Sequence, residues 1–258
     1  MDQMLPLDPS ELISEQVMGM TGPSGFGTSG ASGLSGSGGS GAGDVFSFFG
    51  IQDKARSVII MIDVSDSMFG RTGDLDYSSG KLVRKGKDQS FQEIREEALK
   101  LIDALSINSR FGILRWSGSA RLWQPALVPA TAANKEAAKA HIQDDIDCRS
   151  ARPRAGKPGG TRHDYALEEV FKLEPEVAYM LTDGNATRSM GRGSLETIPD
   201  RDLYKLIDKA ADDYPSVPRI HTIYYLTGKD KREEERMLRG ISRRSKGKFA
   251  KVKAKKRK

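Results

Sequence analysis

A single cysteine, Cys148, in 258 residues excludes an intrachain disulfide and a cysteine-rich zinc site. Histidine is nearly as scarce. His141, His163 and His221 are the only three, and none stands at a triad or metal-motif spacing with Cys148. Neither a Gly-x-Ser-x-Gly elbow nor a phosphate-binding P-loop occurs. Apolar runs long enough to span a bilayer are missing, and the start lacks the basic and apolar blocks of a secretory signal. Read by itself the chain is expected to be soluble and cytoplasmic. An anchor ahead of its Gly/Ser-rich stretch would move it to the cell envelope, so no location is assigned. These absences leave little support for an enzyme.

Glycine and serine are abundant, and they are concentrated. Of the 24 residues from 21 to 44, 16 are Gly or Ser, a composition that cannot bury enough apolar surface to offset the entropy of ordering. This stretch reads as a flexible linker with a random-coil span of about 25–30 Å. Residues 25–30 match the dinucleotide-binding glycine pattern in form only, because no strand precedes them. Ahead of the linker lies an N-terminal segment, residues 1–20, in which Ser10 to Met18 has the spacing of a short amphipathic helix with Leu12, Ile13, Gln16 and Val17 on one side. Residues 45–252 read as one α/β domain, and 253–258 as a basic tail. The net charge is +6. Lys246 to Lys258 contributes eight basic residues and no acidic one, and without it 33 basic residues face 35 acidic ones. The basic excess is thus a property of the C-terminal end. Such an end attracts nucleic acid, anionic lipid or acidic protein through salt-sensitive contacts. It has no base-stacking platform, since its one aromatic, Phe249, belongs to the final strand.

Residues 57–68, SVIIMIDVSDSM, carry the most information. Five apolar residues, Val58 to Ile62, end abruptly in Asp63, Ser65 and Ser67. A short apolar run bounded by polar turn residues reads as a buried strand of a parallel sheet, and ligands bind beyond the carboxyl ends of such strands. More than ninety residues later, Gly159-Gly160-Thr161 places a third hydroxyl in a loop ahead of the helical RHDYALEEVFKL. Val177 to Thr182 reads as a second buried strand that delivers Asp183, with Gly184 freeing the turn. Two carboxylates and three hydroxyls suit a hard cation, Mg2+ before Mn2+ or Ca2+, because such ions take oxygen donors.

With these residues the chain resembles the von Willebrand factor A domain family, which includes the integrin I domains, and specifically its metal-ion-dependent adhesion site. The pattern Asp-x-Ser-x-Ser, then Thr, then Asp falls on Asp63, Ser65, Ser67, Thr161 and Asp183. The resemblance covers residues 56–252. It departs at Asp66, where the family often has Gly, and Asp tolerates the left-handed backbone such a turn can need. The resemblance implies a Rossmann-like, doubly wound α/β fold: a mostly parallel central sheet, helices on both faces and one short antiparallel edge strand, Ala120 to Trp123. It also implies that in some states the two Asp side chains reach the metal through water, so that the cation keeps an open position for an Asp or Glu of a protein ligand. It further implies a bacterial protein that assembles or regulates a larger complex.

The remaining elements follow from periodicity. Ser90 and Glu93 have capping-box spacing ahead of a helix with Ile94, Ala98, Leu101, Ile102 and Leu105 inward. Arg110 to Ser117 reads as a strand, Thr131 to Asp147 and Asp200 to Asp213 as helices, and Arg219 to Thr227 as a strand. Glu233 to Ser242 reads as the last helix and Gly247 to Val252 as the closing strand. Trp116, Trp123, Tyr179, Tyr224 and Tyr225 are expected in the core or at its edges. A long connection, residues 68–89, sits beside the site with Asp74 and Asp76, which could hold a second ion, and with Lys81, Arg84, Lys85 and Lys87, which favour an acidic partner. The expected function is metal-dependent protein binding. The alternative is an anionic-surface or nucleic-acid tether through the basic C-terminus. A Mg2+-dependent phosphoryl-transfer enzyme, with Asp63 as nucleophile beside Asp66 and Arg162, is the weaker third reading.

Overall fold

The computed structural model describes residues 43–69, 75–76, 83–84, 89–145, 160–184, 186–191, 194–226 and 230–253. The short helix expected at residues 10–18, the glycine pattern at 25–30, Asp74, Cys148 and the tail beyond Lys253 lie outside them. Five strands form a parallel sheet: β3 (Ser57–Asp63), β6 (Arg110–Trp116), β9 (Val177–Thr182), β12 (Arg219–Leu226) and β13 (Phe249–Lys253), in the order β13-β12-β9-β3-β6. On the far edge, β7 (Ala120–Leu122) runs antiparallel against Leu114 to Trp116. A second antiparallel strand, β8 (Val128–Pro129), shares that edge by pairing with Arg110 and Phe111. The edge therefore carries two short antiparallel strands, where the sequence suggested one; Val128–Pro129 is too short to show a period, and proline is tolerated there because an edge strand needs no second ladder.

The central strands are apolar throughout because both sheet faces are covered, and their residues alternate between two cores. Val58, Ile60, Ile62, Phe111, Ile113, Tyr179, Leu181 and Tyr225 face one side, packed with helices α1 (Gln89–Ala104) and α2 (Ala132–Asp145). Ile59, Met61, Leu114, Trp116, Met180, Tyr224 and Leu226 face the other, under α3 (His163–Leu173), α4 (Asp200–Asp213) and α5 (Arg232–Arg244). The aromatic residues expected in the core are there. Trp123, half-buried at the edge, stacks on Phe111 at 5.7 Å. Ser90 lies inside the first turn of α1 rather than ahead of it, and Glu93 accepts a hydrogen bond from the Tyr225 hydroxyl at 2.9 Å. A tertiary contact has thus taken the capping-box glutamate.

A hairpin unread in the sequence completes the first core: β1 (Asp44–Phe48) and β2 (Ile51–Ala55), antiparallel. Its two-residue turn, Phe49-Gly50, has φ of 46° and 80°, the left-handed pair of a type I′ turn. Phenylalanine is an unusual choice there; its ring packs edge-on against Phe48 at 4.9 Å and Tyr225 at 5.8 Å, which offsets the backbone cost. Strand β1 begins on Asp44, inside the stretch read as linker. Its carboxylate accepts hydrogen bonds from the Ser106 amide and the Ser109 hydroxyl. The last strand runs to Lys253, the first residue read as tail. A short pair, β4 (Leu75–Asp76) and β5 (Val83–Arg84), lies in the connection after β3, and β10 (Thr187–Gly191) with β11 (Ser194–Thr197) forms another hairpin, also unread, between β9 and α4. No helix among the described residues is long and apolar enough to cross a membrane.

At the amino ends of the strands the hairpin is held by charge. Asp53 accepts hydrogen bonds from Arg219 Nε at 2.7 Å and His221 Nε2 at 2.8 Å, and His221 Nδ1 accepts one from the Lys248 amide at 2.8 Å. Both ring nitrogens are satisfied only if the imidazole is neutral with its proton on Nε2. Burial lowers the His221 pKa, against the pull of Asp53. A base held below its unfolded value costs nothing above pH 6.5, and stability is lost as pH falls through that value while only the unfolded chain takes the proton. His221→Gln removes this loss, so its stability relative to wild type improves between pH 7.5 and 5.5 in urea unfolding. A second outcome concerns Gly240, in α5, where a Cβ would lie 1.9 Å from Tyr204 Oη. Gly240→Ala is destabilising by about 1–3 kcal/mol from overpacking, outweighing its helix-propensity gain. In a Tyr204→Ala background the same substitution becomes neutral or stabilising, a coupling that a double-mutant cycle reads directly.

Candidate metal centre

The five predicted ligands come from three distant segments that the parallel sheet brings to one edge. Asp63 is the last residue of β3, and Asp183 follows β9, which lies directly beside β3 in parallel register. Thr161 sits in the loop before α3. That loop is tied to the end of β6 by the Arg162 amide, which donates to the Ser117 carbonyl at 2.7 Å, and β6 flanks β3 on its other side. Thr161 is also paired with Thr187 through two backbone hydrogen bonds of 3.0 and 2.9 Å. All of these points lie at the carboxyl ends of the strands, where open α/β sheets bind ligands.

The local geometry holds the oxygens in place. Asp63 is fully buried; its Oδ1 accepts from the Ser65 amide at 2.9 Å and its Oδ2 from the Thr182 hydroxyl at 2.6 Å. Thr182 Oγ1 in turn accepts from the Gly184 amide at 3.0 Å. Gly184 has φ +88°, and a Cβ there would meet Glu234 of α5 at 2.7 Å, so only glycine permits this turn beside Asp183. The hydroxyls of Ser65 and Ser67 are 3.1 Å apart. Met68 N donates to Ser65 O at 3.1 Å, closing a 3-10 turn, Asp66–Phe69. That turn is right-handed, so the left-handed tolerance expected of Asp66 is not called upon. Ser65 and Thr161 are buried, while Ser67 and Asp183 are half-buried. The set therefore has a closed inner side and a side open to solvent.

Burial, and behind it the repulsion of Asp183, pushes the Asp63 carboxyl up to about 7, against the hydrogen bonds from Ser65 and Thr182. Two carboxylates that repel one another, with hydroxyls beside them, fit a hard divalent cation, which would supply the missing positive charge. Among the described residues no group of three or more His, Cys, Asp or Glu side chains is placed to hold a metal. A cation here must consequently draw on the hydroxyls of Ser65, Ser67 and Thr161. Asp76, offered with Asp74 for a second ion, lies in the short strand β4, whose side chains are outside the described residues.

The roles of two residues behind the site are set by tertiary contacts, although His163 is the one histidine that the sequence places near the metal loop. Thr182 looks like the last residue of a buried strand, and its role as donor to Asp63 depends on the pairing of β3 with β9. His163, fully buried, stands with Nε2 3.4 Å from Thr182 Oγ1 and its ring edge-on to Trp116 at 5.7 Å. Burial depresses its pKa to about 4, against the pull of the Thr161 backbone. It is a neutral wedge in the second core rather than a ligand. Arg162, proposed for a phosphate, is bidentate to Asp164 at 2.6–3.1 Å and lies 3.4 Å over the Tyr165 ring.

A Rossmann-like α/β domain with an Asp/Ser/Thr set at the carboxyl edge of its central strands is thus defined. No family model matches the sequence. The structure is similar to that of the solved von Willebrand factor type A from Catenulispora acidiphila, with a TM-score of 0.50, 19% identity and coverage of 78% of this chain and 39% of that one. The fold is that of a von Willebrand factor A domain. In sequence, the chain is 31% identical over 90 residues to human inter-alpha-trypsin inhibitor heavy chain H4, covering 35% of this chain and 8% of that protein. It is 26% identical over 149 residues to rat heavy chain H3, covering 55% of this chain and 14% of that protein. The chain thus spans a small part of the curated relatives it matches.

The Asp63 charge yields a signed outcome. A carboxyl raised above its unfolded value of 3.8 loses stability as pH rises from that value through about 7. In chelator at pH 7.5, Asp63→Asn therefore unfolds at a higher temperature than wild type, and the advantage vanishes at pH 4. Equal melting temperatures at pH 7.5 would mean that the carboxylate is not a burden in the metal-free protein.

Proposed function

We propose that the chain is a protein-binding module whose carboxyl-edge site holds Mg2+, with Mn2+ or Ca2+ as less favoured substitutes, and through it an Asp or Glu of a partner. The observation that carries this reading is the fully buried Asp63 carboxylate facing the charge of Asp183 in a setting of hydroxyls. Such an arrangement is unfavourable alone and favourable around a cation. Ser65, Ser67 and Thr161 are the uncharged ligands, while Asp63 and Asp183 supply charge and hold ligating water. With three of five ligands neutral, a bound cation retains positive charge and a free position on its open side. A carboxylate from another molecule suits both.

The other readings have less behind them. Phosphoryl transfer would need a cationic group free to meet the phosphate, and Arg162 is committed to Asp164 and Tyr165. In the basic C-terminal strand, Lys251 is paired with Asp230 and Glu235, which reduces its value to a polyanion tether.

Mg2+ is expected to raise the melting temperature of the wild-type protein in a concentration-dependent way, by the linkage of binding to folding. Thr161→Ala and Asp183→Ala are each expected to lower Mg2+ affinity at least about tenfold, roughly 1.4 kcal/mol, as read by titration calorimetry. Affinity capture in Mg2+ should recover a partner that chelator and Asp63→Ala both release. Mg2+ binding of equal strength in all variants would reject the site.

A further inference from the structure

Helix α5 carries arginine at positions 232, 236, 239 and 243, a spacing of four, three and four that repeats along one helical face. All four line one open groove of about 1020 Å3 between α4, α5 and β13. The floor is apolar and tightly closed: the Gly240 backbone lies against the Tyr204 ring, and Phe249 sits beneath Arg239, whose guanidinium is 3.9 Å from the ring centre. The side chain of Arg236 is 71% exposed and that of Arg239 56%. Arg243 and Lys246, at the lower end, have no carboxylate partner among the described residues. Two carboxylates share the groove: Asp200, 3.4 Å from Arg236, and Glu235, shared by Arg239 and Lys251.

We propose that this arginine face docks an extended acidic segment of a partner protein. Guanidinium groups in a row bind carboxylates or phosphates in bidentate fashion, and one stacked on a ring is held ready for it. The row spans about 16 Å at 1.5 Å per residue, a length that five residues of extended chain match, with alternate side chains on one side about 6.8 Å apart. The lining favours peptide over nucleic acid in two respects. Tyr204 and Phe249 are covered by Arg244 and Arg239, which leaves no free ring for a base. Asp200 and Glu235 would repel a continuous phosphate backbone, whereas a peptide offers them its amide donors between its own carboxylates. At its amino end α5 meets Gly184 of the metal loop through Glu234, which stands on the helix side away from the arginine row, so the row is a surface separate from the candidate metal centre.

Fluorescence anisotropy of the full chain with a short labelled peptide of alternating Glu and Ser, in chelator, separates this surface from the metal reading. The double variant Arg236→Glu, Arg243→Glu, shown to be folded by circular dichroism, should weaken binding at least about tenfold at low salt. The control Lys255→Glu, Lys256→Glu in the C-terminal tail should change it less than about threefold. Equal binding by the arginine variant, or a loss confined to the tail variant, would overturn the proposal. It would equally be overturned if a short duplex DNA bound more tightly than the peptide and lost that affinity in the arginine variant, which would assign the face to nucleic acid.

Discussion

Asp63 is a carboxylate with no exposed surface at the end of the central strand of a sheet covered on both faces, and the architecture around the site is arranged to hold it there. Thr182 donates to one oxygen and the Ser65 amide to the other. Even so, desolvation and Asp183 leave the group far from its ordinary value. A buried charge compensated only in part is costly. The remaining compensation has to come from outside the polypeptide or from a proton, and the open side of the site beyond Ser67 and Asp183 is where either would enter. A cation bound there, as proposed, would therefore raise the stability of the domain.

The opposite end of the sheet carries a different kind of polar arrangement. Asp53, Arg219, His221 and the Lys248 amide satisfy one another almost completely. They lock the β1–β2 hairpin over the first core, where Phe46 and Phe48 are fully buried. One end of the parallel strands is therefore saturated and structural, and the other is left wanting. That polarity follows from the parallel topology itself, which delivers all carboxyl ends, with their turns and loops, to a single face. The α5 arginines form a third region that belongs to neither end, and they run along the side of the molecule between them.

Much of the architecture could be read from residue order because it depends on local periodicity. Val177 to Thr182 and Asp200 to Asp213 have the boundaries that their patterns suggest, and the run Val58 to Ile62 lies within a strand one residue longer at each end, since long buried runs and strong amphipathic spacing leave few alternatives. The elements that escaped reading are those whose stability is not local. Phe49-Gly50 makes a tight turn only because Phe49 finds Phe48 and Tyr225. Val128–Pro129 becomes a strand only because the β6 edge is available, and Thr187 joins the site only through its pairing with Thr161.

The sequence by itself determined the class of fold and the identity of the candidate ligands, because the pattern of oxygen-bearing residues after two buried strands is carried by adjacent positions. Only the tertiary structure decided that Asp63, Thr161 and Asp183 share one edge, that Asp63 is wholly desolvated, and that Thr182 rather than a nearer residue in the chain supports it. Those properties arise from strand pairing between segments more than ninety residues apart. Burial and proximity of charge are consequences of that pairing, and no local sequence pattern contains them.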